Sequence, residues 1–313
     1  MLVKPEQLTS PYASIMNVGP IGAGKTQSLA SLYWHNLAAH PNGPRQLWHY
    51  DLDGTGAVSL VRIAQHGSSP NNKPQIKGGW LNDLKVYRYR LRGEKAQIKP
   101  TSAGDISKAR TSDLLDKFVA EFNEMIQMVD GKTGTWRDPE NSPGIICIDS
   151  ATSLENWITD ATCSIRGRDI NSPLATERAR YADWGAIKDK ELEIVQCAKA
   201  LPCYFVYNVH DELRVFTIPE PISMTLNSTG EVQQSGGQRS MGDVYIYPAL
   251  TGSLRDDLGG EFDVVMYSRA EGKKYYWVTR PRQEGQATLR AAKTRTRDDL
   301  DVVMEQDYRE LLK

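Results

Sequence analysis

Residues 19–26 read Gly19-Pro20-Ile21-Gly22-Ala23-Gly24-Lys25-Thr26, the spacing G-x-x-x-x-G-K-[ST] of a phosphate-binding loop. Before it, Tyr12 to Val18 is a short apolar segment that predicts a buried strand. After it, Leu29, Ala30, Leu32, Tyr33, Leu37 and Ala38 recur at helical spacing across Gln27 to Ala39. A motif between strand and helix has the context its chemistry needs. The glycines let several N–H groups face one anion, and the helix N-terminus adds partial positive charge. Lys25 can reach the β- and γ-phosphates, and the Thr26 hydroxyl can ligate Mg²⁺. The expected nucleotide-binding set is therefore Gly19, Pro20, Ile21, Gly22, Ala23, Gly24, Lys25, Thr26 and Gln27. The alternative is a glycine turn beside a helix.

The 313 residues can bury a substantial core. One large α/β domain with insertions competes with two domains at this length. A formal net charge of −1 excludes a global field toward nucleic acid or membrane, so any basic surface must be local. The longest apolar runs are too short to span a bilayer, and no charged-then-apolar leader opens the chain. Cys147, Cys163, Cys197 and Cys203 lack metal-ligand spacing and sit in apolar or helical contexts, which predicts reduced thiols. The expectation is a soluble, cytoplasmic protein with no membrane partner.

A second strand is expected over Gln46 to Asp53, closed by Gly54-Thr55-Gly56. A strand is also expected over Leu84 to Leu91. It lies in a stretch, 62–110, that carries eleven Lys/Arg against three acids. Basic residues interleaved with tyrosines, Arg88 and Arg90 among them, can track a phosphate backbone. The alternative is a solvated strand face and a loop. Thr111 to Val129 predicts a helix. Ile145-Ile146-Cys147-Ile148-Asp149-Ser150 predicts a central parallel strand buried on both faces. Its acid stands at the C-terminal tip, where α/β sheets bind ligands. Helices are expected over Leu154 to Ile165 and Thr176 to Ala200, and a strand over Cys203 to Val209. Residues 211–260 read as long and irregular. Strands are expected over Glu261 to Arg269, Lys273 to Thr279 and Leu289 to Thr296, then a terminal helix over Leu300 to Leu312.

Hydrolysis needs more than a phosphate loop: a carboxylate for Mg²⁺, a group that orients water, and a sensor of the γ-phosphate. Asp149 is the natural partner of Thr26 for the metal. Asp51 and Asp53, two apart on one expected strand, would share a face, and either can polarise water. His210, at the tip of an apolar strand, can reach a γ-phosphate.

The order of these parts resembles the RecA family of recombination ATPases, and most of all its shortened, phage-encoded members. The resemblance rests on Gly19 to Thr26, on Tyr50-Asp51-Leu52-Asp53-Gly54, on Ile145 to Leu154, on Asn208-Val209-His210 and on Ala292-Lys293-Thr294-Arg295. It implies an α/β fold with a RecA-like P-loop NTPase core, a mainly parallel sheet between helices. It also implies one domain over 1–313, with insertions near 62–110 and 211–260. It implies ATP and Mg²⁺ as cofactors, Asp53 as water activator where RecA proteins carry Glu, and His210 as sensor where they carry Gln. Lys293 and Arg295 would reach a neighbouring subunit's γ-phosphate in a filament or ring. Two loops, near Ile165 to Trp184 and Asp211 to Tyr247, would face single-stranded DNA, the first through Arg166, Arg168, Arg178 and Arg180. The implied activity is DNA-stimulated ATP hydrolysis in recombination or strand annealing, in the cytoplasm of a bacterial host for a phage-encoded chain. A single-strand-binding protein or another replication factor would be a further partner. The alternatives are a nucleotide-dependent switch or loader acting through a protein partner, and a small-molecule kinase.

Overall fold

The computed structural model describes residues 11–54, 56–68, 75–89, 104–165, 181–216, 223–226, 232–235, 243–251, 254–284, 287–289, 292–294 and 300–313. The phosphate-loop strand β1 (Ser14–Val18) lies near the middle of a nine-stranded sheet. Running from it to one edge are β5 (Tyr204–Val209), β4 (Pro143–Asp149), β2 (Gln46–Asp51) and β3 (Leu84–Arg88), every neighbouring pair parallel. On its other side stands β10 (Val264–Glu271), also parallel to β1. The antiparallel strands β11 (Lys274–Val278) and β15 (Val303–Glu305) follow, and β14 (Lys293–Thr294) pairs with β10. The mixed α/β class and the mostly parallel sheet between helices are therefore as expected.

Side-chain alternation divides the core between the two faces. Ile15, Leu47, Ile145, Cys147 and Val206 pack with α1 (Lys25–Ala39), α2 (Ala57–His66) and the short α7 (Tyr308–Leu311). Met16, Trp48, Ile146, Ile148 and Phe205 pack on the opposite face. Their cover is α3 (Gly104–Gln127), α4 (Ala151–Ile165), α5 (Tyr181–Lys199) and α6 (Leu254–Glu261). With both faces covered, β4 is buried along its whole length, which is why it reads as an unbroken apolar run. Each isoleucine there contributes about 1.5–3 kcal/mol by leaving water. Polar substitution of Ile146 would forfeit that and bury an unmet group.

Five expectations are corrected. Strand β2 stops at Asp51: the backbone turns so that Leu52 N–H and Asp53 N–H both point to Asp149 O, at 2.7 and 3.4 Å. Asp51 and Asp53 thus do not share a strand face. Helix α3 begins at Gly104, not near Thr111, because Lys108, Ala109 and Arg110 are good helix formers and nothing there stops the turn. The stretch 211–260 is not irregular throughout. It holds β6 (Asp211–Phe216), β7 (Ser223–Leu226), β8 (Val232–Ser235), β9 (Asp243–Pro248) and α6. There β6 pairs with β9, and β9 joins β13 (Ala287–Leu289) and β12 (Arg282–Glu284) in a second sheet. The expected strand Leu289 to Thr296 is two short pieces, β13 and β14. The expected terminal helix is interrupted by β15, since Val303 is β-branched and the edge of β11 offers unpaired backbone groups. Only α7 is helical, started by the Asp307 side chain, which accepts from Arg309 N–H at 3.0 Å.

Among the described residues no helix is long and apolar enough to cross a membrane. The four cysteines are free thiols, and Cys147, Cys163 and Cys203 are buried.

Candidate functional site

The parallel strands β1, β4 and β5 deliver their C-terminal tips to one edge of the sheet, and a pocket of about 320 Å³ opens there. Its wall is the loop from Ile21 to Gln27, faced by Asp53, Asp149 and His210. The loop enters helix α1 through Gly24, whose φ of 83° is left-handed and suits glycine. No side chain caps α1 and its first turn carries no acid, so the helix N-terminus keeps its N–H groups and its positive end for an anion. Lys25 is 6 % exposed. Its Nζ donates to Gly19 O at 2.5 Å and Pro20 O at 2.9 Å, across the loop. Burial pulls the Lys25 pKa down, and the carboxylates of Asp149, Asp211 and Asp53 push the other way.

Thr26 Oγ1 donates to Asp149 Oδ2 at 2.5 Å. A hydroxyl and a carboxylate are hard oxygen donors of the kind Mg²⁺ selects, and Mg²⁺ completes its shell with substrate phosphates and water. The pair fits that use and not a site made by protein ligands alone. Among the described residues no cluster of three or more His, Cys, Asp or Glu could hold a metal. Behind the pair sits His49, fully buried, with Nε2 3.9 Å from Asp149 Oδ2. Burial lowers its pKa, against the pull of Asp149 and Asp51, so it stays neutral beside the carboxylate.

Asp53 stands across the pocket from the loop. Its Oδ1 accepts from Ser150 Oγ at 2.9 Å and Ser153 Oγ at 2.5 Å, and its Oδ2 lies 3.1 Å from His210 Nε2. Partial burial would raise its pKa; the hydrogen bonds from His210, Ser153 and Ser150 outweigh that and bring it down to about 2. A carboxylate only accepts, so His210 carries its proton on Nε2. His210 is fixed from both sides: its N–H donates to Thr152 Oγ1 at 3.3 Å, and its carbonyl accepts from Ala249 N–H at 2.7 Å. The Asp149–Ser150 peptide between the two carboxylate corners is cis.

The other sequence-predicted residues lie elsewhere. Asp51 is fully buried and does not line the pocket; it lies behind Gly56, holding Gly56 N–H at 3.1 Å and Arg88 Nε at 3.2 Å. Arg88, at the tip of edge strand β3, is thereby tied into the fold. Arg90, Arg166, Arg168, Arg178, Arg180 and Arg295 lie outside the described residues. For Lys293 the backbone in β14 is described and the side chain is not.

Sequence reasoning gave no role to Ser150, Ser153, Gly56 or Tyr275, all at the site. The two serines had a signal, the run Ser150-Ala151-Thr152-Ser153 directly after Asp149. Gly56 lies against the Thr26–Asp149 pair: a Cβ there would be 3.2 Å from Asp149 Oδ2 and 3.5 Å from both Asp51 Oδ1 and Thr26 Oγ1. Tyr275, in β11, had none, because its place depends on a pairing far along the chain. No protein-family model matches the chain, and no curated protein matches its sequence.

Proposed function

We propose that the chain is a RecA-like P-loop ATPase that binds ATP with Mg²⁺, hydrolyses it, and acts on single-stranded DNA. One observation carries the hydrolytic part: Asp53 and His210, 157 positions apart, meet at 3.1 Å opposite the loop of Lys25 and the Thr26–Asp149 pair. A phosphate loop, a metal corner, a water-orienting carboxylate and a polar strand-tip residue in one pocket are the parts phosphoryl transfer to water requires. The insertion of β5 between the loop strand β1 and the acid strand β4 leaves room for that second carboxylate and supports the same reading.

In this reading Lys25 leaves the carbonyls of Gly19 and Pro20 for the β- and γ-phosphates. Thr26 and Asp149 would hold Mg²⁺, which would supply neutralisation of phosphate charge. Asp53 accepts a hydrogen bond from the attacking water. Titrating at about 2, it is a weak base, so its contribution is orientation more than proton removal. His210 exchanges Asp53 for the γ-phosphate. The DNA part rests on the basic stretch 62–110 and the arginines of 166–180.

A second reading, a nucleotide-dependent switch acting through a protein partner, is favoured by the three donors that already occupy Asp53. Turnover of ATP with and without single-stranded DNA decides between them. DNA-stimulated hydrolysis supports the ATPase; tight binding with no turnover under either condition supports the switch.

A further inference from the structure

The phosphate loop is gripped from behind by a residue far from any motif. Gln306 follows β15 and is 3 % exposed. Its Nε2 faces Ala23 O at 2.9 Å, Ser268 Oγ at 3.0 Å and Tyr276 O at 3.1 Å. Three oxygens around one end of the amide assign the nitrogen to that end. The Ser268 hydroxyl gives its own proton to Asn17 Oδ1 at 2.5 Å, so it too accepts from Gln306. The backbone is pinned as well, since Gln306 N–H donates to Tyr275 O at 3.2 Å.

We infer that Gln306 is a positioning residue for phosphate binding: its amide fixes the Ala23–Gly24 peptide so that the Gly24 N–H faces the pocket. In a trans peptide C=O and N–H point in opposite directions. With Ala23 O held toward Gln306, the Gly24 N–H is sent the other way, toward the pocket that Gly24 lines. That N–H belongs to the residue before α1, where donors cradle an anion. The closeness of the brace also explains the third glycine of the motif. A Cβ at Gly24 would lie 2.7 Å from Gln306 Oε1 and 2.7 Å from ring atoms of Tyr275.

This inference rests on the nucleotide reading above, and the test separates the two. ADP affinity is measured by calorimetry for wild type, Lys25→Ala, Gln306→Met, Gln306→Glu and Ser268→Ala, with thermal unfolding of each protein alone and ATP turnover. Gln306→Met keeps the length and removes the donor; Gln306→Glu sets a carboxylate oxygen against carbonyls. Both are expected to weaken ADP binding about tenfold or more, by more than any fall in turnover at saturating ATP. Ser268→Ala leaves the bond to Ala23 intact and is expected to bind within about threefold of wild type. A wild type that binds no ADP overturns the nucleotide reading. A wild type that binds ADP beside a folded Gln306→Met that binds as tightly overturns the brace alone. Unfolding of both Gln306 variants makes the residue a part of sheet stability and also overturns it.

Discussion

His210 Nε2 lies 3.1 Å from Asp53 Oδ2, and each residue is anchored by hydroxyls of the turn after β4: Thr152 for the first, Ser150 and Ser153 for the second. The side chain that would read a terminal phosphate and the one that would orient the attacking water thus occupy each other. In the proposed ATPase a γ-phosphate that takes up the His210 Nε2 proton would draw it from Asp53, so that nucleotide binding would free the carboxylate to orient water.

Replacing Asp53 with Asn should separate binding from chemistry. The amide keeps the shape and loses the charge that orients water. Nucleotide affinity should stay within about threefold of wild type while turnover falls by about a hundredfold or more. Equal turnover in the two proteins would remove Asp53 from the mechanism.

The same residue makes a prediction about acid. Its folded-state pKa, about 2, is below the ordinary 3.8. The stabilisation is therefore complete above about pH 4 and disappears as pH falls toward 2. Asp53 faces an open pocket, so solvent screening reduces the effect to about 1 kcal/mol. Urea unfolding at pH 2, 3, 4 and 7 should show Asp53→Asn less stable than wild type at neutral pH, with the gap closing near pH 2. A gap independent of pH would contradict it.

Asp51 should behave as a structural acid. Asp51→Ala strands Arg88, which is 34 % exposed, and leaves Gly56 N–H without its acceptor. A loss of about 1–3 kcal/mol is expected, read as a lower unfolding midpoint. Turnover per folded molecule should change far less than in Asp53→Asn.

Gly56→Ala tests the metal corner. Gly56 has φ −67°, which any residue adopts, so the substitution acts through space. The new methyl would press on Asp149 Oδ2 at 3.2 Å. Affinity for ATP with Mg²⁺ should fall about three- to tenfold while metal-free ADP binding holds. Equal losses in both titrations would place the lesion in the loop instead.

A trans role for Lys293 and Arg295 is tested by mixing. The Lys293→Ala/Arg295→Ala protein keeps its own loop, and Lys25→Ala keeps its basic pair. If one subunit completes another's site, the mixture recovers turnover that neither shows alone, since such groups are worth roughly 10³–10⁵ in rate. A fully active Lys293→Ala/Arg295→Ala protein would reduce the pair to surface charge.

Legibility followed locality. The phosphate loop was readable because its glycines, Lys25 and Thr26 are contiguous and flanked by strong strand and helix patterns. Asp149 was readable because a strand buried on both faces leaves its first polar residue at the tip. Asp53 and His210 could be named separately, but their contact could not, because it depends on how β2, β4 and β5 stand side by side. The end of β2 was misplaced by two residues because a backbone turn onto Asp149 O leaves no mark in side-chain alternation. Strands of two or three residues complete less than two periods of alternation, so β13 and β14 were read as one longer strand and β15 as part of a helix. Gln306 had no signal at all: a lone polar residue near the end of a chain predicts nothing until β15 lies beside β11.

Strand β1 is made long before either of its two partners. Ile15 pairs with Val206 on one side and Val264 on the other, and Ser14 is bonded to Asp263, 249 positions away. At ribosomal speeds of about 5–20 residues per second, residues 14–18 wait roughly ten to fifty seconds for β10 to emerge. During that interval an apolar strand with two open edges needs temporary cover, from its own helix α1 or from a chaperone. The pocket then closes from the back, and Gln306 reaches the loop only as synthesis passes its codon, so a nascent chain stopped short of that point would carry the phosphate motif without its brace.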